Sequence, residues 1–194
     1  QKDGAGLPVP QPSGTQKTVS AHVEINLLEL PAESRRKSDI PNLNLIIDRF
    51  RCAFGRSLSH YLQKTVGLET IDFHSLPFCE YLPDQDFHKA TGILSLNPLN
   101  SGCLLNYDSH LWFLLLEIIL GGDDISAMKV VERSPTRLEL NLLKSTIDIG
   151  CRALDRAFLP VIQINSSLIK TAHEPVKLSF TSPDAVVLIY RFEV

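Results

Sequence analysis

Two long stretches of the chain carry apolar residues at helical spacing. From Asn42 to Leu62 and from Thr136 to Phe158, apolar positions recur every three or four residues, and charged residues fall mainly on the other faces. Each stretch predicts an amphipathic helix with one buried face. A third stretch, Leu111–Leu120, is apolar apart from Glu117. It is shorter than the roughly 20 apolar residues of a membrane span, so it predicts a buried helix.

Polar residues and glycines mark the ends of these helices. Thr136 stands three residues before Glu139, which is the spacing of a capping box, where each side chain bonds the backbone N–H of the other residue. Asp108 or Ser109 is placed to cap the apolar helix. Gly121-Gly122 follows that helix, and glycine readily adopts the left-handed backbone that ends a helix.

Short apolar or alternating runs predict strands between and after the helices. The predicted strands are Leu68–Phe73, Thr91–Leu96, Gly102–Asn106, Val161–Ile169, Val176–Phe180 and Ala185–Val194. Each half of the chain then begins with a long helix and ends in strands. This order predicts an α/β domain with an internal pseudo-repeat.

The first 39 residues have the composition of a linker. Proline, glycine and serine are frequent before residue 20, and large apolar residues are few. Val23–Leu30 has apolar residues without a clean period, and Ser34–Lys37 contains a short basic run that is typical of a solvated segment. We predict a flexible linker over residues 1–39 and one folded domain over residues 40–194.

Charge and side-chain chemistry favour a binding module over an enzyme. Lys plus Arg number 19 and Asp plus Glu number 22, so the net charge of −3 lacks the basic excess of a duplex-DNA binder. Motifs for a nucleophile elbow, a phosphate loop or a dinucleotide site are absent, and no histidine or cysteine pair has metal-ligand spacing. The residues alone therefore predict no catalytic residue, no metal, no cofactor and no membrane insertion.

From Ile40 onward the chain resembles the middle domain of the FliM family of flagellar motor switch proteins. Four stretches carry the resemblance, and a turn near the end extends it: Pro41–Phe50, Asn97–Leu105, Leu120–Asp124, Arg133–Glu139 and Thr181–Asp184. Leu120–Asp124 corresponds to the family's F-G-G-x-G loop, with Leu120 in place of the aromatic residue and Asp124 in place of the last glycine. Arg133, Thr136 and Glu139 match its R-x-x-T-x-x-E helix start.

The resemblance implies a fold, a function and a set of partners. It implies a three-layer α/β/α pseudo-symmetric domain of the CheC-like type, with two long helices and a sheet rich in antiparallel strands. It implies a non-enzymatic motor component in the cytoplasm at the base of the flagellar basal body. The implied partners are the rotor protein FliG, neighbouring FliM copies, phosphorylated CheY and, through a C-terminal domain outside this chain, a FliN-type protein.

The same resemblance assigns candidate residues and leaves alternatives open. Gly121, Gly122, Asp123 and Asp124 are the expected contact with the rotor protein, although the two glycines could instead merely end a helix. The first competing function is a CheC-like response-regulator phosphatase, which uses a helical glutamate with an asparagine three residues later. No glutamate of this chain has that asparagine. The second is a switch-like adaptor of a type III secretion apparatus.

Overall fold

Six antiparallel strands form one sheet at the centre of the fold. The structure is a computed structural model and describes residues 20–28, 42–81, 88–99, 101–122, 130–172 and 185–194. The strands and helices in chain order are β1 (His22–Leu28), α1 (Leu43–Leu62), β2 (Glu69–Pro77), α2 (Phe78–Tyr81), β3 (Ala90–Asn97), β4 (Ser101–Tyr107), α3 (Ser109–Ile119), α4 (Arg137–Phe158), β5 (Asn165–Ala172) and β6 (Val186–Glu193). The strand order is β2-β6-β1-β4-β3-β5.

Strand β1 lies in the middle of this sheet. It pairs along its whole length with β6 on one side, from His22↔Glu193 to Leu28↔Val187, and with β4 on the other. The predicted flexible linker over residues 1–39 is therefore wrong at His22–Leu28. The alternation of Val23, Ile25 and Leu27 with polar Glu24 and Asn26 is a strand pattern, and both sets of side chains are buried in the structure.

The two long helices pack side by side on one face of the sheet. Phe50 of α1 lies against Phe192 of β6, with ring centroids 6.1 Å apart. Helix α4 approaches β3 and β4 closely, because a Cβ on Gly92 would lie 2.7 Å from Ile147 and one on Gly150 would lie 2.6 Å from Leu105. Helix α3 belongs to the same apolar core. Both long helices thus have the bounds that their apolar periodicity predicts, within one residue at each start.

The other face of the sheet carries a smaller apolar cluster beneath α2. Phe78 and Tyr81 of this single helical turn pack on Val187 and Ile189 of β6. Helices therefore lie on both faces, and the predicted three-layer α/β/α class is confirmed. Within the described residues, no helix combines the length and apolar character needed to cross a bilayer.

The sequence misplaces several element boundaries. Strand β5 begins at Asn165 instead of Val161, since residues 161–164 form the turn after α4, and β2 continues to Pro77. Proline is tolerated there because β2 is an edge strand. Helix α2 has only four residues, which are too few to show a helical period in the sequence. The predicted strand Val176–Phe180 and turn Thr181–Asp184 lie outside the described residues.

The two halves of the chain exchange their edge strands. Helix α1 leads into β2, which pairs with β6 from the second half, and α4 leads into β5, which pairs with β3 from the first half. The central positions are filled by β4 and by β1, which precedes α1 in the chain. The ends of the domain therefore meet, and the Val194 amide donates to the Ala21 carbonyl at 2.8 Å.

Deleting β1 is expected to prevent folding. A chain that begins at residue 30 loses the strand that joins β6 to β4, and the remaining strands form two separate sets with unpaired inner edges. We expect loss of the cooperative thermal transition and of dispersed amide NMR signals. A chain that begins at residue 20 is the control and should melt like the full chain. A cooperative transition in the shorter chain would contradict the central role of β1.

Candidate functional site

The end of helix α3 forms a glycine cap. Gly121 has a φ of +91°, and its amide donates to the Ile118 carbonyl at 3.0 Å, while the Gly122 amide donates to the Glu117 carbonyl at 2.8 Å. This pair of bonds is a Schellman motif, which satisfies helix carbonyls that would otherwise lack partners. The sequence prediction that Gly121-Gly122 ends the helix is therefore confirmed.

The same cap presents backbone and an apolar side chain to solvent. A Cβ on Gly121 would meet nothing within 4 Å, so the glycine is required by its left-handed backbone and not by crowding. Leu120, directly before it, is 72% exposed. At Gly122 a Cβ would lie 2.4 Å from the Glu117 carboxylate, the movable end of a flexible side chain. Asp123 and Asp124, the other two predicted contact residues, lie outside the described residues.

The predicted helix start brings Arg133, Thr136 and Glu139 together at the beginning of α4. Thr136 Oγ1 accepts from the Glu139 amide at 3.3 Å, and Glu139 Oε2 accepts from the Thr136 amide at 2.7 Å. These two bonds complete the capping box. Arg133 reaches the same carboxylate with both terminal nitrogens, Nη1 donating to Oε2 at 2.8 Å and Nη2 to Oε1.

The guanidinium of Arg133 also lies against two aromatic rings of α3. Its central carbon is 5.3 Å from the Trp112 ring centroid and 5.2 Å from that of Phe113, which are cation–π distances. Trp112 is in turn fixed, because its Nε1 donates to the His88 carbonyl at 2.8 Å. Arg133 thus connects the first turn of α4 to the first turns of α3. Sequence reasoning missed the two aromatic rings, because helical apolar spacing alone marks them only as core residues.

Hydrogen bonds and charge lower the pKa of Glu139 to about 2, and the bonds from Arg133 are the largest cause. Burial opposes the shift, and the Thr136 bonds add to it. Glu139 in turn raises the pKa of Arg133. The pair is therefore fully ionised at neutral pH. Its negative member also lies in the first turn of α4, where the helix dipole favours an acidic side chain.

A second polar cluster lies on the opposite face of the sheet and centres on Glu24 of β1. Glu24 Oε1 accepts from the amide groups of Asn26 at 2.9 Å and Asn106 at 3.3 Å, and Oε2 lies 3.7 Å from Lys89 and 3.4 Å from Arg191. Burial raises the pKa of Glu24, but these four partners lower it further, so the net shift is downward. The carboxylate is therefore charged and compensated by its neighbours.

This cluster borders a cavity of about 250 Å³. The wall of the cavity includes His22 and Asp108, whose Nδ1 and Oδ2 are 2.8 Å apart. Asp108, one of the two caps that the sequence allows, also caps α3 by accepting from the Leu111 amide at 2.7 Å. The sequence does not indicate this cluster, because Glu24 and Asn26 lie in the stretch that its composition predicts to be linker. Among the described residues, no three His, Cys, Asp or Glu side chains are grouped to hold a metal ion.

The sequence model of a known family matches most of the chain. The family is described as "FliM: Flagellar motor switch protein FliM", and the match covers residues 36–194. A curated relative, the flagellar motor switch protein FliM of Pseudomonas aeruginosa, is 23% identical over 155 residues, which are 80% of this chain and 48% of that protein. The chain spans less than half the length of the curated relatives it matches.

Solved structures with the same fold are also found. A FliM middle domain of Vibrio alginolyticus superposes with a TM-score of 0.63 at 20% identity, covering 79% of this chain and 93% of that one. A chain from a FliG–FliM complex of H. pylori superposes with a TM-score of 0.66 at 16% identity, covering 76% and 87%. At these identities the structures establish the fold.

Removing the Glu139 charge is expected to reduce stability in a pH-dependent way. The pKa of Glu139 is lowered in the folded protein from an ordinary value of 4.5 to about 2, so the ion pair contributes fully above pH 4.5 and progressively less as the pH falls toward 2. We expect Glu139→Gln to lower the free energy of unfolding by about 1 kcal/mol at neutral pH, since the pair is partly exposed.

Urea unfolding of both proteins at neutral pH and near pH 3 measures this effect. The difference between wild type and Glu139→Gln should be clearly smaller at the lower pH. The matched control is Glu132→Gln, which removes an exposed acidic side chain close to Arg133 in the chain. A difference for Glu139→Gln that stays constant over this range would contradict the assigned pKa.

Proposed function

Because this chain belongs to the FliM family of flagellar motor switch proteins, we propose that it is a non-enzymatic component of the flagellar motor switch. In this proposal the exposed cap of α3 contacts the rotor protein FliG. The family match supports the motor role. The solved FliG–FliM complex of H. pylori supports FliG as the partner, since a chain of that complex has the same fold.

The geometry of the α3 cap is the observation that carries the proposed contact. The buried core of a protein interface is rich in apolar area, and Leu120 at the cap is 72% exposed, the largest exposed fraction among the described large apolar residues. Gly121 next to it has no Cβ and no neighbour in the space that a Cβ would occupy. A partner backbone could therefore approach closely at this point. Asp123 and Asp124 follow Gly122 directly in the sequence, and we include them in the proposed contact.

A non-enzymatic role is supported by the chemistry of the described residues. The charged side chains of Glu24, Arg133 and Glu139 all form hydrogen bonds within the domain, so these bonds explain their presence without a catalytic role. The CheC-like phosphatase alternative needs a glutamate followed three residues later by asparagine, and the chain has none. The type III secretion adaptor is favoured by no residue of the structure, and the matched relatives are flagellar by name.

The remaining partners and the location follow from the family and stay predictions. They are neighbouring FliM copies, a FliN-type protein, phosphorylated CheY and a cytoplasmic position at the flagellar basal body. We also propose that the middle domain includes β1, so that it extends from about residue 20 to Val194.

Truncating Leu120 is expected to weaken binding to FliG without affecting the fold. The Leu120→Ser side chain would lose contact with a partner but little intramolecular packing, because the leucine is 72% exposed. We expect about tenfold weaker binding of purified FliG by calorimetry or NMR titration, which corresponds to ~1.4 kcal/mol, and a nearly unchanged melting temperature.

Leu159→Ser is the matched control. Leu159 is 62% exposed directly after the last residue of α4 and is not part of the proposed contact, so its loss should leave FliG binding unchanged. Gly122→Asp should also weaken FliG binding, because it adds a carboxylate beside Glu117 at the cap. Unchanged amide signals of Leu120–Gly122 at saturating FliG would overturn the proposed contact.

A further inference from the structure

The geometry points to Arg133 as a positioning residue for the proposed FliG contact. Arg133 is not itself one of the residues of that contact. The inference rests on the proposed function, because it concerns the same α3 cap. Arg133 holds the first turns of α3 against the first turn of α4. Through this connection it sets the direction in which α3 points, and therefore the place where Leu120, Gly121 and Gly122 are presented.

The described polar contacts between α3 side chains and the rest of the domain lie near the helix start. Asp108, the N-cap, accepts from the His22 amide at 3.0 Å and lies 2.8 Å from its ring. Trp112 donates to the His88 carbonyl, and the Arg133 guanidinium covers the Trp112 and Phe113 rings. All three contacts involve residues between the N-cap and the fifth residue of α3.

The opposite end of α3 is held by apolar packing and by its own backbone. Leu115 and Leu116 are buried, Ile118 and Ile119 are partly buried, and Glu117 and Leu120 are exposed. Apolar packing is not directional, so it permits small rotations that a hydrogen bond would resist. The cap lies about 16 Å along the helix from its first residue, so a small tilt at the start displaces the cap appreciably.

Arg133 is suited to this role by its shape as well as its charge. Its planar fork donates to both oxygens of Glu139 while its face lies on the aromatic rings, which a lysine could not reproduce. Glu139 is itself fixed by the Thr136 capping box. The guanidinium is therefore held in one orientation by α4 and transmits that orientation to α3.

The experiment compares four forms of the full chain: wild type, Arg133→Met, Arg133→Lys and Arg137→Met. Met keeps the apolar stem but lacks the charge and the fork, while Lys keeps the charge and can still pair with Glu139. Arg137 is the matched control, since it is exposed in the same first turn of α4 and has no hydrogen bond or ion pair among the described residues.

The first readout is amide hydrogen exchange at Leu120, Gly121 and Gly122 in the free domain. Their amides donate to the carbonyls of Leu116, Ile118 and Glu117 within 3.0 Å, so they report directly on the cap. We expect exchange about tenfold faster in Arg133→Met. Helix α3 is then no longer held at its start by the guanidinium, so its far end can move against the core and its last hydrogen bonds open more often. Arg133→Lys should regain most of the melting temperature but not the slow exchange, and Arg137→Met should match wild type.

The second readout is FliG affinity, which should fall about tenfold in Arg133→Met and be unchanged in Arg137→Met. If Arg133→Met lowers the melting temperature while exchange at the cap is unchanged, Arg133 only stabilises the start of α4 and the inference is overturned. If cap exchange changes but wild type does not bind FliG, the proposed function fails and the positioning role stands. If Arg133→Met does not fold, equal cap exchange in Arg133→Lys and wild type overturns the inference.

Discussion

The pairing of β1 with both β6 and β4 is the constraint on which the rest of the structure depends. Without it the sheet has no continuous surface, and α1 above β6 and α4 above β3 and β4 would have no common layer to pack on. These pairs join residues that are about 80 and 160 positions apart in the chain, which makes the topology strongly non-local. The polar network of Glu24 is a direct consequence, since a strand buried on both faces must satisfy its inward polar side chains.

The long helices were predictable because they obey local rules. Their periodicity, the Thr136 capping box and the Gly121 helix end each depend on a few adjacent residues, and all three are found in the structure. The β1 strand carries the local alternation of a strand over Val23–Leu27, but that alternation does not indicate that Glu24 and Asn26 are buried or that the strand pairs with both β6 and β4. Helix α2 is too short for any periodic signal, and its place depends on the sheet beneath it.

The candidate site was predictable as a set of residues but not as an arrangement. The motif around Arg133 indicates a helix start, which the capping box bears out. The contact of the guanidinium with Trp112 and Phe113 depends on how α3 and α4 meet in space, and no local pattern encodes that meeting. The contact is nevertheless what converts a helix-capping motif into a connection between two helices.

The hydrogen bond between the Val194 amide and the Ala21 carbonyl has a mechanical consequence. Any polypeptide attached before Ser20 and any attached after Val194 would leave the domain from the same corner, because β1 starts where β6 ends. A force that pulls both attachments in the same direction would act at that corner and would not stretch the sheet, whereas a force that pulls them apart would load the β1–β6 pair. A domain suspended in this way can swing as a rigid body about its suspension point, and its far end can change position while every internal contact is retained.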